Sequence, residues 1–165
     1  MGRLGESGMN DKTFDEFVED EKAGQLLVDE WYSANGLTVD RSGACIGFDC
    51  KVSKEDWSGT VEEKICSHNG CIVEFIQDIK PPISIGWFYK TTADIILWAW
   101  VDDGKLRQVC RVETPLFKNW IINDYKVTKP MAILTERGYG KTLSIVPSLA
   151  DLKTCPTFER RNTNA

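Results

Sequence analysis

Residues 47–75 read GFDCKVSKEDWSGTVEEKICSHNGCIVEF. β-Prone residues flank a polar segment, KEDWSG, that ends in glycine, which is the pattern of a β-hairpin, and a further strand follows at CIVEF. Centring the hairpin between Glu55 and Asp56 sets Asp49 directly opposite Glu62, where Cβ atoms on one face sit about 5 Å apart. Lys64 follows Glu62 by two residues, so strand alternation returns it to the same face. Two carboxylates and a lysine thus converge on one patch of sheet, an arrangement that suits a divalent metal and a phosphate. A rival register turns at Ser42-Gly43 and gathers Asp40, Asp49 and Lys51; Asp49 belongs to both.

Upstream, Thr13 with Glu16 three residues on forms a capping box. It opens a helix running to about Ser33, closed by Asn35-Gly36. Phe14, Phe17, Val18, Leu26, Leu27, Trp31 and Tyr32 make its apolar stripe, Gly24 weakens it, and the run DEFVEDEK reads as a solvated acidic face. Leu37-Thr38-Val39 is a short strand. Downstream, Pro81-Pro82 breaks the chain and GWFYKTTAD forms a partly helical connection. IILWAWV (95–101) and LRQVCRV (106–112) make a second hairpin about Asp103-Gly104. Thr114-Pro115 starts a short helix, two strands flank Arg137-Gly138, and Ser148 opens a last helical turn. The expected organisation is a polar tail over 1–12, one domain over 13–153 and a polar C-terminal tail over 154–165. The class is α/β of the mixed α+β kind, an N-terminal helix followed by a central mixed β-sheet.

The net charge is −5 over 165 residues, which counts against coating DNA by bulk attraction. It leaves room for an enzyme whose metal ion supplies the local positive charge. No apolar run approaches the roughly 20 residues of a membrane span, and MGRLGESGMNDK lacks the apolar centre of a secretory signal. With six cysteines, this points to reduced thiols and a cytoplasmic protein. Cys45-x4-Cys50 and Cys66-x4-Cys71 leave a zinc or iron–sulfur site open, but the tight x2 spacing of zinc ribbons is absent, and buried thiols are the default. His68 lies in the turn SHNG close behind Lys64. GYGKT at 138–142 fails as a P-loop, because the first glycine would have to stand where Thr135 does. Trp98, Trp100 and Trp120 read as core, whereas Trp57, placed in the hairpin turn, is a candidate to stack on a base.

Taken in order, Gly47-Phe48-Asp49, Glu62-Glu63-Lys64, Glu74-Phe75, Gly86-Trp87-Phe88, Ala93-Asp94-Ile95 and GYGKTLSIVPSLADL resemble a phage-associated branch of the PD-(D/E)XK nuclease superfamily. The resemblance covers roughly residues 38–152. It implies a restriction-endonuclease-like core and Mg²⁺- or Mn²⁺-dependent hydrolysis of DNA. Asp49 and Glu62, with the backbone carbonyl of Glu63, would hold the metal, Lys64 would be catalytic, and Glu74 would support them from an adjoining strand. Trp57, His68, Lys51 and Lys141 would contact the substrate, and a homodimer stays open. The alternative is a non-catalytic phage accessory or inhibitory protein on the same fold, with a host protein as its partner.

Overall fold

The computed structural model describes residues 14–45, 47–66, 71–78, 82–125, 133–137 and 140–163. The 1–12 tail, Thr13 and His68 lie outside the described residues. Helix α1 (Phe14–Ala34) stops where Asn35-Gly36 said it would. Gly36 takes φ +71°, the Gly36 N–H reaches the Ser33 carbonyl at 3.0 Å and the Leu37 N–H reaches that of Tyr32 at 2.9 Å, a Schellman closure that only a left-handed residue permits. β1 (Thr38–Asp40), β2 (Cys50–Lys54) and β3 (Trp57–Cys66) then form an antiparallel meander. Its hairpin pairs Cys50 with Val61 and Lys54 with Trp57, so the turn is centred between Glu55 and Asp56 as expected. Glu55 takes φ +50° in that turn. The turn is tighter than expected, however, and Trp57 is the first residue of β3 instead of a turn residue.

The chain next crosses through β4 (Val73–Asp78), β5 (Ser84–Ile85) and α2 (Trp87–Lys90), and returns as β6 (Ile95–Asp102), parallel to β3. β7 (Lys105–Glu113) folds back on β6 through Asp103-Gly104, both at positive φ, as a two-residue hairpin of opposite twist requires. α3 (Thr114–Asn119), with Pro115 in its first turn, continues into a π-helical turn at Trp120–Asp124. β8 (Ile133–Arg137) and β9 (Gly140–Ile145) follow. α4 (Leu149–Leu152) begins at a Ser148–Asp151 capping box, and β10 (Glu159–Asn162) ends the chain's regular structure.

Among the described residues the strands make a six-stranded mixed sheet, β1-β2-β3-β6-β7-β10, and a four-stranded sheet, β5-β4-β9-β8. The class is therefore mixed α/β, a helix followed by a central mixed sheet. Three expectations need correction. Residues 154–163 are not a free polar tail: Cys155 is buried, Phe158 packs on the core and β10 pairs with β7. β4, which carries Glu74, does not adjoin β3 but lies in the smaller sheet. On α1, Leu26 is 65% exposed, and the row facing the sheet is Gly24, Val28 and Tyr32, spaced four apart as a helix stripe should be. Gly24 is less a weak point than a point of contact, since a Cβ there would lie 2.5 Å from the Ile65 Cγ2 atom.

The large sheet is apolar on both faces. Val52, Val61, Leu97 and Ala99 meet Val28 and Tyr32 of α1 on one side. On the other, Ile96, Trp98 and Val112 meet Phe88, Phe117, Trp120 and Leu152. Sheets covered on both faces read as continuous apolar runs, which is what IILWAWV is.

Candidate active site

Strand alternation divides β3 residue by residue. Val61, Glu63 and Ile65 face α1, while Glu62 and Lys64 face α2 and α3. Asp49 stands one residue before β2, where the ladder is interrupted: Cys45 and Phe48 bridge to each other. Glu63, whose partner would be residue 48 in this register, gives its N–H to the Asp49 carboxylate instead, at 2.6 Å. The Asp49 N–H goes to the Val61 carbonyl at 2.9 Å. In an antiparallel pair the N–H and carbonyl of one residue use the same edge of the strand. The Glu63 carbonyl therefore lies on the edge that Asp49 occupies.

Glu62 is only 6% exposed. The Lys64 ammonium pairs with its Oε1, while the nearby Thr91 hydroxyl donates to the Gly47 carbonyl at 3.1 Å. Burial pushes the Glu62 carboxyl above its ordinary range, Lys64 pulls it back, and the nearby Asp49 charge pushes it up again. Lys64 is held from its far side by the face of Trp87, whose centroid lies 5.1 Å from Nζ. Lys118, on α3, donates to the Thr91 carbonyl at 2.8 Å. Burial lowers its pKa, and the Glu62 charge works against that shift. Lys64 thus pairs with a buried carboxylate, and burial with a charge partner is the mark of a functional candidate.

Lys64 and Glu62 pair with each other on β3, and Asp49, just before β2, is near enough for its charge to act on both Glu62 and Cys50. Glu63 contributes its backbone, not its side chain, which lies on the α1 face. There Arg41 Nη1 pairs with Oε2 at 3.0 Å, the Cys50 thiol donates to Oε1 at 3.2 Å, and Arg41 also holds Asp29. Burial, with the Glu63 charge adding to it, keeps both Cys50 and Tyr32 protonated. In the rival register, Asp40 does stand opposite Lys51. Both are exposed, and the Asp40 carboxylate is taken up by the Ser42 N–H at 2.9 Å and the Ser42 hydroxyl at 2.6 Å.

Glu74 and Lys141 belong to the small sheet, opposite Ser144 and Glu136 respectively. Among the described residues no hydrogen bond or ion pair joins Glu74 to Asp49, Glu62 or Lys64. The two cysteine pairs do not meet in one cluster: Cys50 lies in the core under α1, Cys66 and Cys71 in the core on the other face, and Cys45 is exposed. No group of three or more His, Cys, Asp and Glu side chains converges among the described residues. Thr91 and Lys118 were not foreseen from the sequence. They come from the crossover and from α3, with no spacing rule to tie them to β3. Trp87 was singled out only within its Gly-Trp-aromatic segment.

No protein-family model matches the chain, and comparison with curated proteins finds no match.

Proposed function

We propose that this protein is a metal-dependent nuclease that hydrolyses DNA phosphodiester bonds, built on a restriction-endonuclease-like core and belonging with the phage-associated PD-(D/E)XK enzymes. The observation that carries this reading is the Lys64–Glu62 pair on β3 with the Asp49 charge close by, beside the edge of β3 on which the Asp49 carboxylate takes the Glu63 N–H. The donors are all hard oxygens: two carboxylates and the Glu63 carbonyl. They fit Mg²⁺ or Mn²⁺, which keep their remaining positions for water and phosphate. When bound, such an ion supplies a more acidic water and offsets the charge that grows on the phosphate.

The chain's own residues do the rest. Asp49, just before β2, and Glu62, on β3, would hold the ion. Lys64, steered by Trp87, directs an N–H donor at the attacking water or at the developing phosphate charge. Lys64, paired with Glu62, offsets the burial of that carboxylate, and Lys118 holds the neighbouring Thr91 backbone.

A second reading is a non-catalytic phage protein on the same fold that binds a host protein. It is favoured by the net charge of −5 and by the closure of Glu62 and Lys64 on each other. Incubating the full chain with single-stranded, duplex and branched DNA in Mg²⁺ or Mn²⁺ separates the two. The nuclease cleaves at least one substrate, and Lys64→Ala abolishes cleavage while Lys51→Ala does not. Loss with Lys51→Ala alone transfers the site to Asp40 and Asp49, and no cleavage of any substrate supports the binding protein.

A further inference from the structure

We propose that a second site, at the opposite end of β3, binds a cationic group on an apolar stem, such as the arginine or lysine side chain of a basic protein partner. A cavity of about 690 Å³ opens there between the first residues of β3, the ends of β6 and β7, and the segment leading into β10. Its volume is within the range of ordinary ligand sites. Trp57, 45% exposed, forms one wall, with Phe158 among the apolar residues around it.

The seat of Trp57 is built into the strand. A Cβ on Gly59 would lie 2.8 Å from the Trp57 ring and 3.5 Å from the Asp94 carboxylate. Glycine at 59 is what lets the indole and the carboxylate stand side by side. Asp94 is fixed by the Thr60 N–H at 2.8 Å and the Thr60 hydroxyl at 2.9 Å, both to Oδ2. The charged lining consists of Asp94, Glu113 and Glu159 against Arg111 alone. Arg111 is itself consumed by a two-pronged pair with Glu159, at 2.8 and 2.9 Å. Among the described residues, Asp94 and Glu113 make no ion pair and stand beside an exposed indole. An aromatic face next to a carboxylate recognises an ammonium or guanidinium, and it repels a phosphate. Charge therefore decides against Trp57 as a base-stacking platform: a polyanion would have to bring its backbone up to this acidic rim.

The site does not depend on the proposed nuclease activity. Trp57 and Glu62 are five residues apart on β3, about 16 Å. The test is a titration of the ¹⁵N-labelled full chain with a blocked Gly-Arg-Gly-Arg-Gly peptide, following the tryptophan indole N–H signals, with the Trp57 signal identified by its absence in Trp57→Leu. The Trp57 signal should shift and saturate, and Glu113→Gln, which removes charge from an exposed side chain, should weaken the apparent affinity about threefold to fivefold. Blocked Gly-Glu-Gly-Glu-Gly and dAMP should leave the signal in place. A Trp57 signal that ignores the arginine peptide, that responds equally in Glu113→Gln, or that moves with dAMP instead would overturn the proposal. The last outcome would restore a nucleotide to this end of the strand.

Discussion

Glu62 and Glu63 are adjacent in sequence, equally buried, and turned to opposite faces of one strand. Their side chains accordingly have unlike duties. Glu62 pairs with Lys64 on one face, whereas Glu63 anchors Arg41 and the Cys50 thiol under α1. Glu63→Gln should therefore lower stability to urea by about 1–3 kcal/mol, the cost of weakening a buried charge-assisted network, and the folded variant should still bind Mn²⁺ through the unaltered backbone carbonyl. Loss of metal binding in a Glu63→Gln protein of normal stability would contradict that assignment. This division was legible in the sequence because a strand's period of two leaves no choice once the register is set. Thr91 and Lys118 were not, since their approach to Glu62 is fixed by the packing of α2 and α3 and leaves no pattern in the chain.

The elements show the same contrast. The second hairpin announced itself through Asp103-Gly104 and the helix end through Asn35-Gly36, because positive φ restricts which residues can stand there; the first was read from a polar segment between β-prone runs, and Glu55 takes the positive φ in its turn. The parallel pairing of β3 with β6 had no local signal, and with it went the place of β4: a strand next in sequence to β3 was read as next in space. Glu74 left the site for that reason. β10 was missed because a short, charged edge strand, ERRN, lacks the apolar alternation that marks a strand. Deleting residues 154–165 should consequently lower the urea midpoint, since it removes buried Cys155 together with the partner of β7; an unchanged midpoint would return the segment to a tail. Within that pairing Arg111 holds the Glu159 carboxyl below its usual range. A lowered folded-state value means the contribution is full above the ordinary carboxylate range and disappears as pH falls through the lowered value. The stability difference between the natural chain and Glu159→Gln should shrink as pH falls through and below the ordinary carboxylate range, and it should be small throughout because both side chains are over 40% exposed. At Gly24 the helix gain of alanine, about 1 kcal/mol, is set against contact with the stiff Ile65 Cγ2 atom. Overpacking costs about 1–3 kcal/mol, so Gly24→Ala should be neutral to destabilising in urea, and a clear gain would show that α1 can lift off β3.

Across the whole molecule, one sheet with two covered faces sorts the chemistry. The face under α1 carries a closed structural network of Asp29, Arg41, Glu63 and Cys50, and the other face carries Glu62 and Lys64. The two ends of β3 differ as well, one offering hard oxygens beside lysines and the other a carboxylate-rimmed indole. No helix among the described residues is long and apolar enough to cross a membrane. The central claim is that Asp49 and Glu62 hold one divalent ion. Mn²⁺ binding to the full chain, followed by electron paramagnetic resonance in the natural protein and in Asp49→Asn, Glu62→Gln and Glu74→Gln, addresses it most directly. Binding that is lost in Asp49→Asn and Glu62→Gln and retained in Glu74→Gln is the expected result; Mn²⁺ binding that survives both Asp49→Asn and Glu62→Gln, or no binding by the natural protein, would contradict it.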